Sequence, residues 1–297
     1  MPHISANGTG LEYEEFGPRT GTPILLISGY TGQMTSWPET FIEGLTEKGF
    51  RVIRFDNRDI GLSQQFDDKG IPDIRQVAAG LKDGTAADHA PYLLNDMADD
   101  AAGLLDELDA SPAIVMGVSM GGMITQLLAI RHPDKVKAII PTMTTSGRPG
   151  LPAATPEAQA ALLDRPEVIN RDNIVMSAIK SNRTFGSQGA FFPSDDELAK
   201  KAGAAFDRAY RPAGIARQYA AIVAQPRWHK ELANVTTPTL VLHGSVDNLI
   251  PAPAGRDVAD SISGASYVEV PDWGHDMPEA AIPTLLSHVL NFALQHK

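Results

Sequence analysis

Six short apolar runs recur along the chain, each bounded by residues that favour turns. They cover residues 22–29, 50–56, 113–117, 136–143, 238–244 and 265–272. Their β-branched side chains and limited length are typical of strands that are buried on both faces of a parallel sheet. Residues 11–17 (LEYEEFG) alternate between apolar and polar instead, which predicts an antiparallel edge strand.

Longer stretches with helical periodicity separate these runs. Residues 93–110 carry acidic side chains opposite one apolar stripe, which consists of Leu93, Met97, Ala101, Leu104, Leu105 and Leu108. Residues 123–132 and 282–295 repeat the pattern. Because strands alternate with helices, we predict an α/β fold with a mostly parallel central sheet, flanked by helices and joined by right-handed crossovers.

Residues 148–226 interrupt this alternation, since they contain no convincing strand pattern. They begin rich in Pro, Ala and Gly and continue with helical patterns, one of which opens on the capping-box pair Ser194 and Glu197. We therefore predict a core of residues 1–147 and 227–297, with residues 148–226 inserted between sheet strands as a helical cap. The cap is predicted to act as a lid over a site; a surface elaboration without that role is the alternative.

The pentapeptide Gly117-Val118-Ser119-Met120-Gly121 directly follows a predicted strand and opens a predicted helix. A tight strand-to-helix turn of this kind needs small residues at both glycine positions and lifts the serine hydroxyl above the sheet edge. In that setting we predict that Ser119 is a nucleophile, whereas a structural glycine-rich turn is the alternative. The sequence around it has neither the G-x-G-x-x-G pattern of a dinucleotide loop nor the G-K-[ST] of a phosphate loop.

A serine hydroxyl near neutral pH needs a neighbouring base, and the base needs a carboxylate to orient it. His275 follows the last predicted strand in a Gly-containing loop and is the predicted base, with His243 at the end of a strand as its rival. Asp247, in the loop after that strand, is the predicted carboxylate. Asp276 adjoins His275 and is interpreted as a solvated acid in a turn, because neighbouring side chains rarely face each other.

The oxyanion of an acyl-transfer intermediate needs two hydrogen-bond donors, which backbone N–H groups commonly supply. The N–H of Met120, at the start of the helix after the serine, is one candidate. The loop after the first buried strand offers the second at Tyr30, with Gly29 giving that loop conformational freedom. An ordinary glycine turn is the alternative for this loop.

The composition and net charge of the chain limit the classes of partner and cofactor that we expect it to bind. A net charge of −11 and a pI near 5.1, without clustered Lys or Arg, argue against nucleic acid or an anionic membrane. The chain has no cysteine and no H-E-x-x-H or similar ligand pattern, so we predict neither a metal nor an organic cofactor. No signal peptide or membrane span is apparent, which makes the cytoplasm the default expectation. A homodimer is a hypothesis about its assembly.

These motifs together resemble those of the α/β-hydrolase family over nearly the whole chain outside the cap. Ser28-Gly29-Tyr30-Thr31-Gly32 stands where the family usually has H-G-x-x-G, and the segments GVSMGG, SVDNLIP and WGHDMP resemble its nucleophile, acid and histidine loops. FDNRDIGLS (55–63) resembles its D-x-R-G-x-G-x-S loop, with Asp59 in place of glycine. With this loop variant, and with Ser28 in place of histidine before Gly29, the sequence is similar to the aclacinomycin methylesterase branch of the family. Asp56 and Arg58 are predicted to form a buried ion pair that braces this loop.

The predicted function is hydrolysis of a small-molecule carboxylic ester through an acyl-enzyme on Ser119, with His275 and Asp247 completing a triad. Alternatives with the same triad are a C–C bond hydrolase and a cofactor-free perhydrolase or haloperoxidase. A non-catalytic ligand-binding protein on a hydrolase scaffold is a further alternative. Five aromatic residues in or near the cap are candidate walls of an apolar pocket or members of the cap's own core: Phe185, Phe191, Phe192, Tyr210 and Trp228.

Overall fold

The computed structural model describes residues 3–297, and these contain eight strands and ten α-helices. The strands are β1 (His3–Ala6), β2 (Thr9–Phe16), β3 (Pro23–Ile27), β4 (Arg51–Phe55), β5 (Ala113–Val118), β6 (Val136–Thr142), β7 (Leu240–Gly244) and β8 (Ser266–Val270). The helices are α1 (Glu39–Glu47), α2 (Ile74–Gly80), α3 (Leu94–Glu107), α4 (Met120–Arg131), α5 (Pro156–Leu163), α6 (Arg171–Phe185), α7 (Asp195–Arg208), α8 (Pro212–Ala224), α9 (Ala252–Ser261) and α10 (Ile282–Ala293).

The eight strands form one sheet in the order β1-β2-β4-β3-β5-β6-β7-β8. Strands β3 to β8 run parallel to one another. Strand β2 pairs antiparallel with β4, and β1 pairs antiparallel with β2. All six predicted parallel strands are present, and so is the predicted antiparallel strand. The expectation that all six are buried on both faces is wrong for β8, which lies at the edge of the sheet and in which only Val270 is buried. The prediction that the antiparallel strand β2 forms the edge is wrong, because β1 covers it; β1 has only four residues and too little pattern to be recognised.

Apolar side chains fill both faces of the sheet and set its helices in place. Residues of α3, α4 and α9 join one buried cluster, and residues of α1 and α10 join the other. Helix α4 is buried along residues 120–129, which is expected of a helix that is apolar around its whole circumference. It starts at the carboxyl end of β5, in the middle of the sheet, which is where α/β folds place their sites.

Four helices, α5 to α8, occupy the chain between β6 and β7, and residues 143–239 contain no sheet strand. The Ser194 hydroxyl caps α7 by accepting the Glu197 backbone N–H at 3.1 Å. The predicted capping box is not completed, because the Glu197 carboxylate accepts the backbone N–H of Glu279 at 3.1 Å instead. The same side chain thus ties α7 to the segment that precedes α10.

Buried ion pairs attach two of these helices to the loop after β4. Both Asp59 oxygens accept from the Arg217 guanidinium of α8, at 2.7 and 2.8 Å, and neither residue is exposed to solvent. The Tyr92 hydroxyl also donates to Asp59 at 2.8 Å. In the same loop, the Asp56 carboxylate lies 2.7 Å from Arg208 of α7.

The predicted ion pair between Asp56 and Arg58 is therefore wrong. Asp56 faces α7 and the loop after β3, where its carboxylate accepts the Met34 N–H, while Arg58 pairs with Asp100 of α3 at 2.6 Å. Both residues are buried and charged, as expected, but their partners come from distant segments that the local sequence does not reveal.

We expect Arg217→Met to lower the free energy of unfolding by about 3–5 kcal/mol, because it leaves the Asp59 carboxylate buried without its cation. Arg171→Met is the matched control, since Arg171 pairs with Asp207 at an exposed position and the loss should stay below about 1 kcal/mol. Urea unfolding followed by circular dichroism measures both. Equal losses in the two variants would contradict the proposed importance of the buried pair.

Candidate active site

The turn between β5 and α4 holds Ser119 in an unusual backbone conformation, with φ 56° and ψ −118°. Such a conformation in a non-glycine residue costs on the order of 1–3 kcal/mol and is maintained by its surroundings. A Cβ atom on Gly117 would overlap the Gly121 carbonyl group, and one on Gly121 would overlap the Ile27 carbonyl oxygen. The two glycines flanking the serine are therefore required by close backbone contacts, which explains the G-x-S-x-G spacing.

Asp247 and His275 come together across the carboxyl ends of β7 and β8. The Asp247 Oδ2 lies 2.7 Å from the His275 Nδ1, and its Oδ1 accepts the backbone N–H groups of Leu249 and Ile250 at 3.0 and 2.8 Å. Burial raises the pKa of Asp247, but electrostatic attraction to His275 and His243 and the hydrogen bonds from both rings outweigh it and lower the pKa to about 2. An ionised Asp247 accepts a hydrogen bond from the Nδ1–H group of His275, which leaves Nε2 as the nitrogen that can accept a proton.

His243, the predicted rival of His275, is completely buried on the inner side of Asp247. Its Nε2 lies 2.7 Å from the Ile250 carbonyl oxygen and 3.6 Å from the Asp247 Oδ2. A Cβ atom on Gly255 would overlap its ring, so the imidazole is packed tightly against α9. His243 is therefore a buried, hydrogen-bonded packing residue.

Asp276 is not the solvated turn acid that the sequence suggests. Its side chain is half-buried and accepts hydrogen bonds from Asn182 Nδ2 at 2.6 Å, from Ser187 Oγ at 2.5 Å and from the Ser187 N–H at 3.1 Å. Burial raises its pKa, although these hydrogen bonds oppose that shift. Asn182 and Ser187 are far from Asp276 along the chain, so no local signal in the sequence could have identified these contacts.

Ser119 and His275 line one cavity of about 740 Å³, which lies between the core loops and the inserted helices. A second cavity of about 490 Å³ extends among α5 to α8 and also reaches His275. Of the aromatic candidates, Phe185 lines both cavities and Tyr210 the second, while Phe191, Phe192 and Trp228 line neither of these two. Within residues 3–297, no hydrogen bond joins the Ser119 hydroxyl to His275, so their direct contact stays a prediction.

The predicted oxyanion donors lie beside the serine. Tyr30 and Gly29 line the cavity with Ser119, and a Cβ atom on Gly29 would stand 3.2 Å from the Ser119 Cβ. Met120 is the first residue of α4, where backbone N–H groups and the helix dipole favour negative charge. Among the described residues, no protein acceptor bonds the N–H of Tyr30 or Met120. Neither N–H group is therefore used by a hydrogen bond within the described part of the protein.

Within residues 3–297, no three His, Asp or Glu side chains are grouped so that they could hold a metal ion. None of the helices in this part of the chain is both long and apolar enough to cross a membrane.

Comparisons of the sequence and of the fold with known proteins identify relatives of this chain. The family model described as alpha/beta hydrolase fold matches residues 22–279. The chain is 29% identical to rhodomycin D methylesterase DauP of Streptomyces sp. (strain C5), covering 93% of this chain and 92% of that protein. It is 25% identical to the bifunctional esterase/perhydrolase DCH of Acinetobacter calcoaceticus, covering 96% of each.

Among solved structures, the enol-lactonase of Burkholderia xenovorans LB400 aligns with a TM-score of 0.75 at 24% identity, covering 99% of this chain and 100% of that one. The predicted fold class is confirmed by this likeness and by the family match. The expected likeness to a methylesterase branch is confirmed by the Streptomyces protein.

Because the pKa of Asp247 is low in the folded protein, we predict that the free energy of unfolding depends on pH in the acidic range. Because the pKa is about 2 when folded and 3.8 ordinarily, the unfolded chain binds more protons between those values, and stability should fall as the pH drops through that window. The share due to Asp247 is on the order of 2 kcal/mol. We expect wild type and Asp247→Asn to differ in free energy of unfolding near neutral pH and to converge below pH 2.

Urea unfolding at a series of pH values measures this difference. Asp134→Asn, at an exposed position, controls for removal of a carboxylate as such. A difference between wild type and Asp247→Asn that stays constant from neutral pH to below the window would contradict the prediction.

Proposed function

We propose that this chain, which belongs to the alpha/beta hydrolase fold family, cleaves carboxylic esters with Ser119 as nucleophile, His275 as base and Asp247 as the group that orients the base. The observation that carries the proposal is the 2.7 Å Asp247–His275 hydrogen bond, made by a histidine that shares its cavity with Ser119. A nucleophile, a base and a carboxylate that orients the base are the groups that acyl transfer by a Ser-His-Asp triad uses.

In the proposed reaction, Ser119 Oγ attacks the ester carbonyl carbon while His275 Nε2 takes its proton. The N–H groups of Tyr30 and Met120 hold the oxyanion of the tetrahedral intermediate. Collapse breaks the bond to the leaving alcohol, which receives the proton from His275. Water then attacks the acyl-enzyme with His275 as base, releasing the acid and restoring the Ser119 hydroxyl.

The methylesterase relative supports this reaction class, and the chain is a hydrolase of the carboxylic-ester type, as predicted. A small-molecule ester is the proposed substrate, with its acyl or alcohol part in the mainly apolar space beneath the inserted helices. Both cavities that reach His275 are lined in part by α6 and α7. We therefore propose that residues 148–226 act as the cap of a core made of residues 1–147 and 227–297, and that they shape the substrate site.

Perhydrolysis is a second candidate, favoured by the likeness to the bifunctional esterase/perhydrolase. Hydrogen peroxide would take the place of water in the attack on the acyl-enzyme, releasing a peracid and the Ser119 hydroxyl. The same residues perform both reactions, so the two candidates differ only in how the site admits peroxide. A C–C bond hydrolase and a binding protein share the scaffold but have no specific observation in their favour.

A panel of p-nitrophenyl esters of increasing acyl length tests the proposal. Ser119→Ala should lower kcat by about 10⁴-fold or more, because it removes the nucleophile while leaving binding intact. Ser287→Ala is the matched control, since this serine is exposed on α10 away from the cavities, and it should keep the wild-type kcat. Circular dichroism establishes that both variants are folded.

Wild-type turnover by folded Ser119→Ala would contradict the assigned nucleophile. Peroxide-dependent halogenation in acetate buffer that exceeds ester turnover would favour the perhydrolase, and cleavage of a vinylogous diketone but of no ester would favour the C–C hydrolase. A ligand that binds and survives prolonged incubation intact would indicate a binding protein.

A further inference from the structure

The end of α6 and the turn after it are hydrogen-bonded to the loop that carries His275. The His275 N–H donates to the Phe185 carbonyl oxygen at 2.8 Å, and the Gln188 N–H donates to the Asp272 carbonyl oxygen at 2.8 Å. A Cβ atom on Gly274 would overlap the Gly186 backbone, so the two segments are in direct main-chain contact. Residues 182–188, which we call the strap, thus run alongside residues 272–276.

Asp276 provides the strongest side-chain link between the strap and this loop. Its carboxylate accepts from Asn182 Nδ2 at 2.6 Å and from both the N–H and the hydroxyl of Ser187, at 3.1 and 2.5 Å. The Ser187 oxygen in turn accepts the Gly274 N–H at 3.1 Å. Hydrogen bonds to an ionised acceptor are about twice as strong as neutral ones, so this is a firm attachment point one residue from His275.

The strap also contacts the acid loop and the imidazole itself. Asn248 Nδ2, one residue after Asp247, donates to the Thr184 carbonyl oxygen at 2.9 Å. The Phe185 ring stands edge-on to the His275 ring, with centroids 6.1 Å apart and planes at 88°. One short segment of the inserted helices therefore touches both loops that must hold the base and its carboxylate in register.

We propose that Asp276 is a positioning residue, which acts through Asn182 and Ser187 to fix the backbone of His275 so that its imidazole keeps its bond to Asp247 and its direction toward Ser119. In this proposal the strap is a fixed part of the active site. The proposal rests on the proposed function for its kinetic consequence, but its structural consequence, the state of the His275–Asp247 hydrogen bond, is independent of it.

A carboxylate suits this position because all three groups that face it are donors. An asparagine would turn an NH₂ group toward at least one of those donors and lose that bond. Displacement of a catalytic group by about 1 Å costs about 10²-fold in rate, whereas substrate binding in the apolar cavity depends little on that displacement. The loss should therefore appear in kcat, with KM nearly unchanged.

The test compares Asp276→Asn and Asp276→Ala with wild type on a short p-nitrophenyl ester. We expect kcat to fall between about 10- and 100-fold, with KM changing by less than about threefold. The far-downfield proton resonance of the His275 Nδ1–H, which reports its bond to Asp247, should broaden or disappear in both variants. Asp196→Asn is the control, because it removes an exposed carboxylate from α7 and should leave both readouts as in wild type.

Ser187→Ala and Asn182→Ala test the same link from the other side and serve if the Asp276 variants do not fold. Each should lower kcat, and adding Asp276→Ala should lower it little further, since the pairs act as one unit. Folded variants with wild-type kcat and an unchanged resonance would overturn the proposal, as would a loss confined to KM. Turnover that persists in Ser119→Ala would overturn the proposed function instead, and the resonance would still decide the role of Asp276.

Discussion

A serine held at positive φ between β5 and α4 is the constraint on which the rest of the site depends. The turn is possible only because Gly117 and Gly121 allow main-chain contacts that any side chain would block. Its strain is opposed by the packing of α4, which is buried along residues 120–129. Since the helix cannot shift without opening the core, the Ser119 hydroxyl and the Met120 N–H have fixed positions. Every other group of the site is placed relative to them.

The inserted helices are held to the core by buried charge. Three carboxylates from loops at the same sheet edge each bind a different helix: Asp276 binds Asn182 of α6, Asp56 binds Arg208 of α7 and Asp59 binds Arg217 of α8. Such links are costly to break, because separation leaves a carboxylate without its partner in a poorly solvated place. Helices α6, α7 and α8 therefore form a wall attached at three points, which is a different arrangement from a lid that swings on one hinge.

A feature of this structure can be predicted from the sequence where the residues that produce it are close together along the chain. Ser119, Asp247 and His275 each follow a strand, and the carboxyl ends of parallel strands meet at one edge, so the sequence predicts that all three converge; the structure joins Asp247 to His275 and places His275 and Ser119 at one cavity. The partners of Asp276 and Asp56 could not be predicted, because their hydrogen bonds cross from one distant segment to another. The short strand β1 escapes prediction for a different reason, since four residues carry almost no periodicity.

Under the proposed function, the strap would connect the substrate cavity to the base. Phe185 lines both cavities, and its backbone carbonyl accepts the hydrogen bond of the His275 N–H, so one residue contacts both the cavities and the histidine loop. Leu162 of α5 and Leu198 of α7 line the same cavities through their side chains and belong to neither the strap nor the histidine loop. A substitution at either leucine would therefore change the cavity wall without removing a hydrogen bond of the strap. Under the proposed function, a cavity wall that can change at α5 and α7 without loss of the strap would let one arrangement of Ser119, His275 and Asp247 accept esters of different shape.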